Sequence, residues 1–152
     1  MKYDIGIVGG GIAGLTSSIL FAKSGYSVVL FEKSSYPKHK VCGEYVSNEV
    51  KPFLQQLGFP FEKLQLAAIQ QLEVVAEKGI TVSAPLDLGG FGISRYLLDY
   101  ELYQLALASG VVVHTNTSVK NIIKIGNIYQ IKTDHEDTET QFCISAFGKK
   151  SN

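Results

Sequence analysis

The sequence predicts an α/β fold in which a parallel sheet is continued by an antiparallel β-meander. Three observations lead to this prediction. The first 32 residues read as a strand, a glycine turn, a helix and a second strand, which is a βαβ unit. A later helix pattern, with leucines at 98, 102 and 105, is followed by the apolar run VVVHT. The last part of the chain holds three β-type runs separated by short polar turns.

The composition is that of a globular protein with one hydrophobic core. The chain has 152 residues, of which 45% are hydrophobic and 18% are charged. Fourteen basic residues balance fourteen acidic ones without a Lys/Arg cluster, which argues against a nucleic-acid partner. The two cysteines, Cys42 and Cys143, form neither a disulfide framework nor a zinc-binding spacing. We therefore expect a reduced, cytoplasmic setting.

The N-terminal βαβ unit has clear limits in the sequence. Residues 3–9 and 26–32 are short apolar strands. Between them, apolar residues recur at helical spacing from Ile12 to Gly25, which is a typical C-terminal cap. We expect neither a signal peptide nor a transmembrane segment, because Asp4 and the glycines interrupt the apolar N-terminal run.

The rest of the chain alternates between helical and β-type patterns. Ser residues at helix starts and Gly residues at helix ends mark the boundaries. In chain order we expect a loop over 33–45, a helix from Ser47 to Gly58, strands over 70–76 and 80–84 joined near Gly79, a flexible link over 88–92, a helix from Ser94 to Gly110, the strand VVVHT, and meander strands near 117–125, 128–133 and 139–145.

A glycine motif follows the first strand and opens the first helix. Gly9, Gly11 and Gly14 form G-x-G-x-x-G, in which the glycines permit a tight turn, a close approach to pyrophosphate and close helix packing. Glu32 ends the second strand, 18 residues after Gly14, where a carboxylate accepts hydrogen bonds from ribose and repels a 2′-phosphate. The alternative is an ordinary glycine-rich turn with Glu32 as a solvated charge. The placement of the motif favours a Rossmann-like domain that binds FAD or NAD.

FAD is favoured over NAD for two reasons. The motif begins at the N-terminus, and the second strand leads into a long loop instead of a third βα unit. In addition, four stretches resemble the successive motifs of the geranylgeranyl reductase-like flavoproteins, a branch of the FAD-dependent oxidoreductases built like aromatic hydroxylases. These stretches are YDIGIVGGGIAGLTSSILFAKSGYSVVLFEK, PKHKVCGEYVS, GISRYLLDYELYQLALASGVVV and CISAFGKKS.

The resemblance implies a set of FAD contacts along the whole chain. They comprise Gly9, Gly11, Ile12, Ala13 and Gly14 at the pyrophosphate turn, Glu32 and Lys33 at the adenosine ribose, Lys40, Cys42 and Gly43 on the flavin side, Arg95 at the pyrophosphate and ribityl part, Val119 at adenine, and Ala146 and Gly148 in the turn beside the nucleotide. For Arg95 the alternative is a helix-start arginine paired with Asp99.

The residue pattern does not identify a catalytic group. Cys42 is the candidate, either as a thiol near the flavin or as a small, partly buried residue before Gly43. We expect no metal site, because His39, His114 and His135 are scattered and lack a metal-binding spacing.

The resemblance implies that residues 1–152 are the FAD-binding N-terminal portion of a larger flavoprotein, with residues 66–92 beginning the substrate-side sheet. In that group the chain continues into a second cofactor motif and a substrate domain. The implied function is hydride transfer through FAD to or from a small apolar substrate, with peripheral membrane contact left open. A flavin monooxygenase or halogenase of the same fold is one alternative. A non-catalytic module that binds only the ADP half is another. The sequence does not predict an oligomeric state.

Overall fold

The computed structural model describes residues 2–148, and the chain divides into two compact units. Unit 1 comprises the residues up to Lys38 and those from Asp99 onward, and unit 2 comprises His39–Leu98. In chain order the elements are β1 (Lys2–Val8), α1 (Ile12–Lys23), β2 (Val28–Phe31), β3 (Tyr45–Ser47), a 3-10 turn (Asn48–Val50), α2 (Lys51–Leu57), a second 3-10 turn (Phe61–Lys63), β4 (Ala67–Val75), β5 (Thr81–Gly92), α3 (Arg95–Ala108), β6 (Val112–His114), β7 (Val119–Ile125), β8 (Ile128–Thr133) and β9 (Asp137–Ser145).

Unit 1 is built around a six-stranded sheet with the strand order β6-β2-β1-β9-β8-β7. The pairs β1–β2, β2–β6 and β1–β9 are parallel, whereas β8 is antiparallel to both β7 and β9. This is the predicted combination of a parallel sheet and a meander, so the predicted fold class is confirmed. The register sets Val8 beside Phe31 on one side and beside Ser145 on the other. The strands β1, β2 and β9 therefore end at the same edge of the sheet.

The core of unit 1 follows its central strands. All four residues of β2 are buried, and Ile7 in β1 and Leu15 and Ile19 in α1 have no exposed surface. One cluster of buried side chains joins the parallel strands to the meander. Its members are Tyr3, Val8, Val29, Phe31 and Ile131, with Val119, Ile122 and Cys143 packed against them. The meander is thus part of the same core as the βαβ unit, which burial of apolar surface stabilises.

Unit 2 contains a three-stranded antiparallel sheet with the order β3-β5-β4. The predicted helix near residues 47–58 is present. The Ser47 hydroxyl accepts a hydrogen bond from the Glu49 N–H at 3.4 Å, and Gly58 ends α2 with a left-handed φ of 89°. The predicted helix that begins after Ser94 is also present, and its first turn is capped by the Ser94 hydroxyl, which accepts from Leu97 N–H at 3.2 Å.

The prediction of a flexible link over residues 88–92 is wrong. These residues form the end of β5, the central strand of the unit 2 sheet, where Gly90 pairs with Ser47 on one side and Ile69 on the other. A Cβ atom on Gly90 would lie 2.6 Å from the Val46 carbonyl oxygen, so the glycine permits close approach of the neighbouring backbone. Periodicity misses such a strand, because glycines carry no side chain to alternate.

The part of the β4–β5 hairpin nearest its turn, residues 71–75 and 81–85, has one apolar face. Leu72 pairs with Ala84 and Val74 pairs with Val82, and side chains in cross-strand pairs point to the same side of a sheet. Leu72, Val74 and Val82 are all exposed. Within residues 2–148, no helix is both long enough and apolar enough to cross a bilayer.

Candidate functional site

The first turn of the glycine motif is closed by Ala146, the residue that directly follows β9. Gly9 leaves β1 with a φ of 108°, a conformation that favours glycine, and its N–H donates to the Phe31 carbonyl at 2.9 Å. A Cβ atom on Gly9 would lie 2.5 Å from the Ala146 carbonyl oxygen. The Ala146 N–H donates to the Val8 carbonyl at 2.7 Å. The structure therefore brings Gly9 and Ala146, two predicted site residues, into contact.

Gly14 and Gly11 fix how α1 starts. A Cβ atom on Gly14 would lie only 1.9 Å from the Gly9 carbonyl oxygen, so no larger residue lets the helix pack this closely on the turn. Gly11 is the N-cap of α1, and its carbonyl accepts the first helical hydrogen bond from Leu15 N–H at 2.9 Å. Gly9 and Gly14 thus have the predicted roles of a tight turn and close packing, and the predicted approach of Gly11 to a pyrophosphate stays a prediction.

The N-terminus of α1 is suited to an anion. Its N-cap makes no side-chain hydrogen bond, and its first turn carries no acidic residue. The first N–H groups of any helix lack partners within the helix, and the helix dipole adds partial positive charge there. Ala13 is exposed, and Gly11 and Ile12 are half-buried, so the end of the helix is open to a ligand. Phosphate groups bind at such helix ends.

Glu32 is buried beside the glycine turn, at the carboxyl end of β2. Its side chain is only 7% exposed. One carboxylate oxygen, Oε2, accepts from the Gly10 N–H at 2.8 Å, and the other, Oε1, accepts from the Ser34 N–H at 3.0 Å and lies 2.6 Å from Lys38 Nζ. Burial raises the pKa of Glu32. Hydrogen bonds from Lys38 and Gly10, together with the Lys38 charge, lower this pKa by more than burial raises it, so the pKa lies below the ordinary value. Glu32 is therefore a carboxylate at neutral pH.

Tyr36 and Lys38 are parts of this site that the sequence analysis missed. The Tyr36 hydroxyl donates to the Gly10 carbonyl, and the Tyr36 ring stacks on Tyr103 with 4.4 Å between centroids. Burial, with the charge of Glu32 as a second cause, raises the pKa of Tyr36, which keeps its hydroxyl protonated and able to donate. Both residues come from a polar loop without periodicity, so nothing in the sequence pattern indicates that they fold back onto Gly10 and Glu32.

Four predicted site residues belong to unit 2, and their predicted contacts with FAD stay predictions. They are Lys40, Cys42, Gly43 and Arg95.

Cys42 is exposed, which contradicts its interpretation as a partly buried residue. Its Sγ accepts a hydrogen bond from the Glu44 N–H at 3.3 Å. Both cysteines are free thiols. A role of the Cys42 thiol in catalysis stays a prediction.

Three further predicted contacts lie in unit 1. Lys33 is exposed directly after Glu32, and Gly148 is exposed with a φ of 82°. Val119 starts β7 and packs against the core cluster of unit 1. Their contacts with FAD stay predictions. The described residues contain no group of three or more His, Cys, Asp or Glu side chains that could hold a metal ion.

These features together fit the ADP half of a dinucleotide. An open helix N-terminus for phosphate and a buried carboxylate for ribose lie on either side of Gly10. Both are at the carboxyl ends of parallel strands, where β1 is flanked by β2 and by the distant β9. In open α/β sheets, ligands bind at this kind of topological switch point.

Comparisons with known proteins agree with this geometry. A family model described as an NAD(P)-binding Rossmann-like domain matches residues 7–56. The chain is 29% identical over 121 residues to a digeranylgeranylglycerophospholipid reductase from Methanospirillum hungatei, covering 76% of this chain and 29% of the reductase. It is 38% identical over 132 residues to a flavin-dependent halogenase from Armillaria mellea, covering 80% of this chain and 26% of the halogenase.

A solved structure shows the same fold. The myxobacterial chondrochloren halogenase, described as a variant of FAD-dependent halogenases, superposes with a TM-score of 0.83 at 18% identity, over 99% of this chain and 38% of that one. The chain thus spans less than two fifths of the length of each of these proteins. Over most of its length it is similar to geranylgeranyl reductase-like and halogenase flavoproteins, and its fold is the Rossmann-like fold of FAD-dependent enzymes.

Proposed function

We propose that this chain binds FAD, with the pyrophosphate at the N-terminus of α1 and the adenosine ribose at Glu32. The observation that carries this proposal is the hydrogen bond of 2.8 Å between the Gly10 N–H and the Glu32 carboxylate. This hydrogen bond links the glycine turn, where the pyrophosphate would bind, to the carboxylate that would accept hydrogen bonds from the ribose. Gly11, Ile12 and Ala13 would present N–H groups to the phosphates, and the turn formed by Gly9 and Ala146 would limit the site on its other side.

The proposed activity is that of an oxidoreductase, exerted by a protein that contains this chain. When bound, FAD supplies hydride transfer, and the protein supplies binding and orientation. The similarity to a digeranylgeranylglycerophospholipid reductase supports an apolar substrate. Residues 66–92 would begin the substrate side, and the exposed apolar face that includes Leu72, Val74 and Val82 suits apolar molecules. The protein that contains this chain would lie in the cytoplasm and contact the membrane peripherally.

A flavin-dependent halogenase is the second candidate, because the chain is 38% identical to one over 132 residues. The two activities differ in their requirements. A halogenase needs reduced flavin, oxygen and a halide, whereas a reductase saturates a carbon–carbon double bond without oxygen. Protein loaded with FAD would be given a halide, phloroglucinol and NADH with a flavin reductase in air, or a polyprenyl lipid under reducing, anaerobic conditions. Mass spectrometry of the products then decides, since halogenation adds a halogen in place of hydrogen and reduction adds two hydrogens.

A module that binds only the ADP half is the third candidate, because every site contact described in unit 1 suits that half. The purified 152-residue chain would be titrated with FAD and with ADP by calorimetry, and bound flavin would be followed by its visible spectrum. Binding of FAD at least about tenfold tighter than ADP supports a flavin site, since tenfold corresponds to about 1.4 kcal/mol of extra contacts. Equal affinities support the ADP-half module, and no binding of either ligand rejects the proposed site.

The helix N-terminus can be tested with the substitution Ala13→Asp. A carboxylate at this exposed position should stabilise the helix by about 0.3–1 kcal/mol through the dipole, yet it should repel the pyrophosphate. We expect a slightly higher Tm together with a loss of FAD and ADP affinity of at least about tenfold, or about 1.4 kcal/mol. Ala13→Asn, which has nearly the same shape and no charge, is the control and should bind nearly normally. Unchanged ligand affinity in the Asp variant would place the phosphates elsewhere.

A further inference from the structure

The acceptor capacity of Glu32 is nearly filled by groups of the chain itself. A carboxylate has about four lone-pair positions, two on each oxygen. Oε1 is engaged by the Ser34 N–H at 3.0 Å and by Lys38 Nζ at 2.6 Å, and Oε2 is engaged by the Gly10 N–H at 2.8 Å. One position on Oε2 remains. A ribose that donates two adjacent hydroxyls to this carboxylate would need a position on each oxygen.

Lys38 is the donor that a ligand can displace. The Gly10 and Ser34 donors are backbone N–H groups in and next to the turn, whereas Lys38 contributes the end of a flexible side chain. The side chain of Lys38 is nonetheless only 15% exposed, and its Nζ lies 5.2 Å from the centroid of the Tyr36 ring. Its ion pair with Glu32 is therefore partly withdrawn from water, where such a contact is stronger than at an open surface.

Tyr36 holds the segment Ser34–Lys38 against the glycine turn. Its hydroxyl donates to the Gly10 carbonyl and its ring stacks on Tyr103 in α3. A Cβ atom on Gly10 would lie 2.9 Å from the Cβ of Glu32 and would overlap the Tyr36 hydroxyl, so the segment is packed directly on the turn. The segment therefore lies at the end of the site where the ribose is expected.

We propose that Lys38 is an internal competitor of the ribose, and that it sets the affinity of this site for adenosine nucleotides by occupying Glu32. This inference rests on the proposed function. Binding of the ribose replaces an ion pair, in which both partners are charged, with hydrogen bonds in which only the carboxylate is charged, so the attraction between the Lys38 and Glu32 charges is lost. The exchange lowers the net gain from ribose binding. Pyrophosphate binding at α1 does not require this exchange, because it does not use Glu32.

The substitution Lys38→Met tests the competition, because it keeps much of the side-chain volume and removes the ammonium group. Calorimetry would measure the Kd of ADP, 2′-deoxy-ADP and inorganic pyrophosphate with the wild-type chain and the variant. We expect the Kd of ADP to fall about tenfold, which corresponds to the free energy of about one charge-assisted hydrogen bond. The Kd of 2′-deoxy-ADP should fall by a smaller factor. We expect no fall for pyrophosphate. Lys2→Met removes the same charge at the exposed start of β1 and should leave all three constants unchanged.

A second variant covers the case in which Lys38→Met does not fold. Tyr36→Phe keeps both charges and removes only the hydroxyl that anchors the segment to Gly10. It should lower the Kd of ADP in the same direction by a smaller factor. If wild-type protein binds ADP and the variants bind it equally or more weakly, Lys38 is no competitor and the inference is overturned alone. If neither the wild-type chain nor the variants bind ADP, the proposed function is overturned and the inference falls with it.

Discussion

Glu32 is the residue at which the chemistry of the site and the stability of the fold meet. Burial raises its pKa, while donors from Lys38, Gly10 and Ser34 lower it more. A carboxyl group with a lowered pKa in the folded state stabilises the fold above its unfolded pKa of about 4.3, and this contribution is lost as the pH falls through the folded pKa. The same ionisation is required for a ribose acceptor. Stability and nucleotide binding should therefore decline together in acid.

Glu32→Gln separates this contribution from general acid denaturation. At pH 7 the variant should be less stable by about 2 kcal/mol, because it loses charge-assisted hydrogen bonds at a buried position. Its free energy of unfolding should also depend less on pH than that of the wild type between about pH 5 and 3. Denaturant unfolding at a series of pH values measures both. Glu139→Gln, at an exposed position of β9, is the control and should behave like the wild type. Parallel pH profiles for wild type and Glu32→Gln would contradict this account.

Sequence reasoning reached this residue but not its partners. The position of Glu32 follows from the period of a βαβ unit, which fixes how far a strand end lies from the glycine turn. The contacts of Tyr36 and Lys38 depend on how an irregular loop folds back, and no repeat or motif encodes that path. The sequence therefore predicts the site residues that regular secondary structure positions, and not those that an irregular loop positions.

Among the elements, sequence periodicity predicts α1 but not the end of β5. α1 was predicted because glycines and apolar residues occur at the spacing that a strand, turn and helix require. The end of β5 is not predicted, because Gly90 serves the close packing of neighbouring strands and not flexibility. Glycine in a sequence indicates backbone freedom or close approach, and only the neighbours distinguish the two.

Gly90→Ala should destabilise the unit 2 sheet. The added Cβ would lie 2.6 Å from the Val46 carbonyl and 2.3 Å from a ring carbon of Tyr45, and overpacking of this kind costs about 1–3 kcal/mol. Gly92→Ala in the same strand is the matched control, because its nearest neighbours would be 3.6 Å away. Hydrogen exchange of β3 and β5 amides measures the difference. Equal protection in both variants would mean that the segment is a link after all.

On the scale of the whole molecule, the pairing of β1 with β9 connects residues far apart in sequence. Lys2 lies beside Glu139 and Val8 beside Ser145 in the register. Local patterns predicted both strands and the meander, but they did not predict that the last strand joins the first. Parallel pairing carries no local signal, because it depends on a crossover and not on a turn. The sequence thus predicts the elements of unit 1 better than their order in the sheet.

Removal of β9 should abolish the fold of unit 1 and its nucleotide site. A chain that ends at Asp134 leaves β1 with an unpaired edge and lacks Ala146, which closes the turn at Gly9. We expect no cooperative unfolding transition and no ADP binding by calorimetry. The control is the full chain with Phe142→Ser, which changes an exposed β9 side chain and should retain both properties. ADP binding by the shortened chain would show that β1, α1 and Glu32 suffice.

The contact between Gly9 and Ala146 also has a consequence for biosynthesis. A ribosome releases β1 and α1 first, and the strand that completes their turn emerges only after almost all of the residues described have been made. Until then β1 exposes an apolar edge that can pair with other chains. We expect nascent chains that have not yet reached Ala146 to need protection by chaperones, and the cofactor to be acquired only after β9 has emerged from the ribosome.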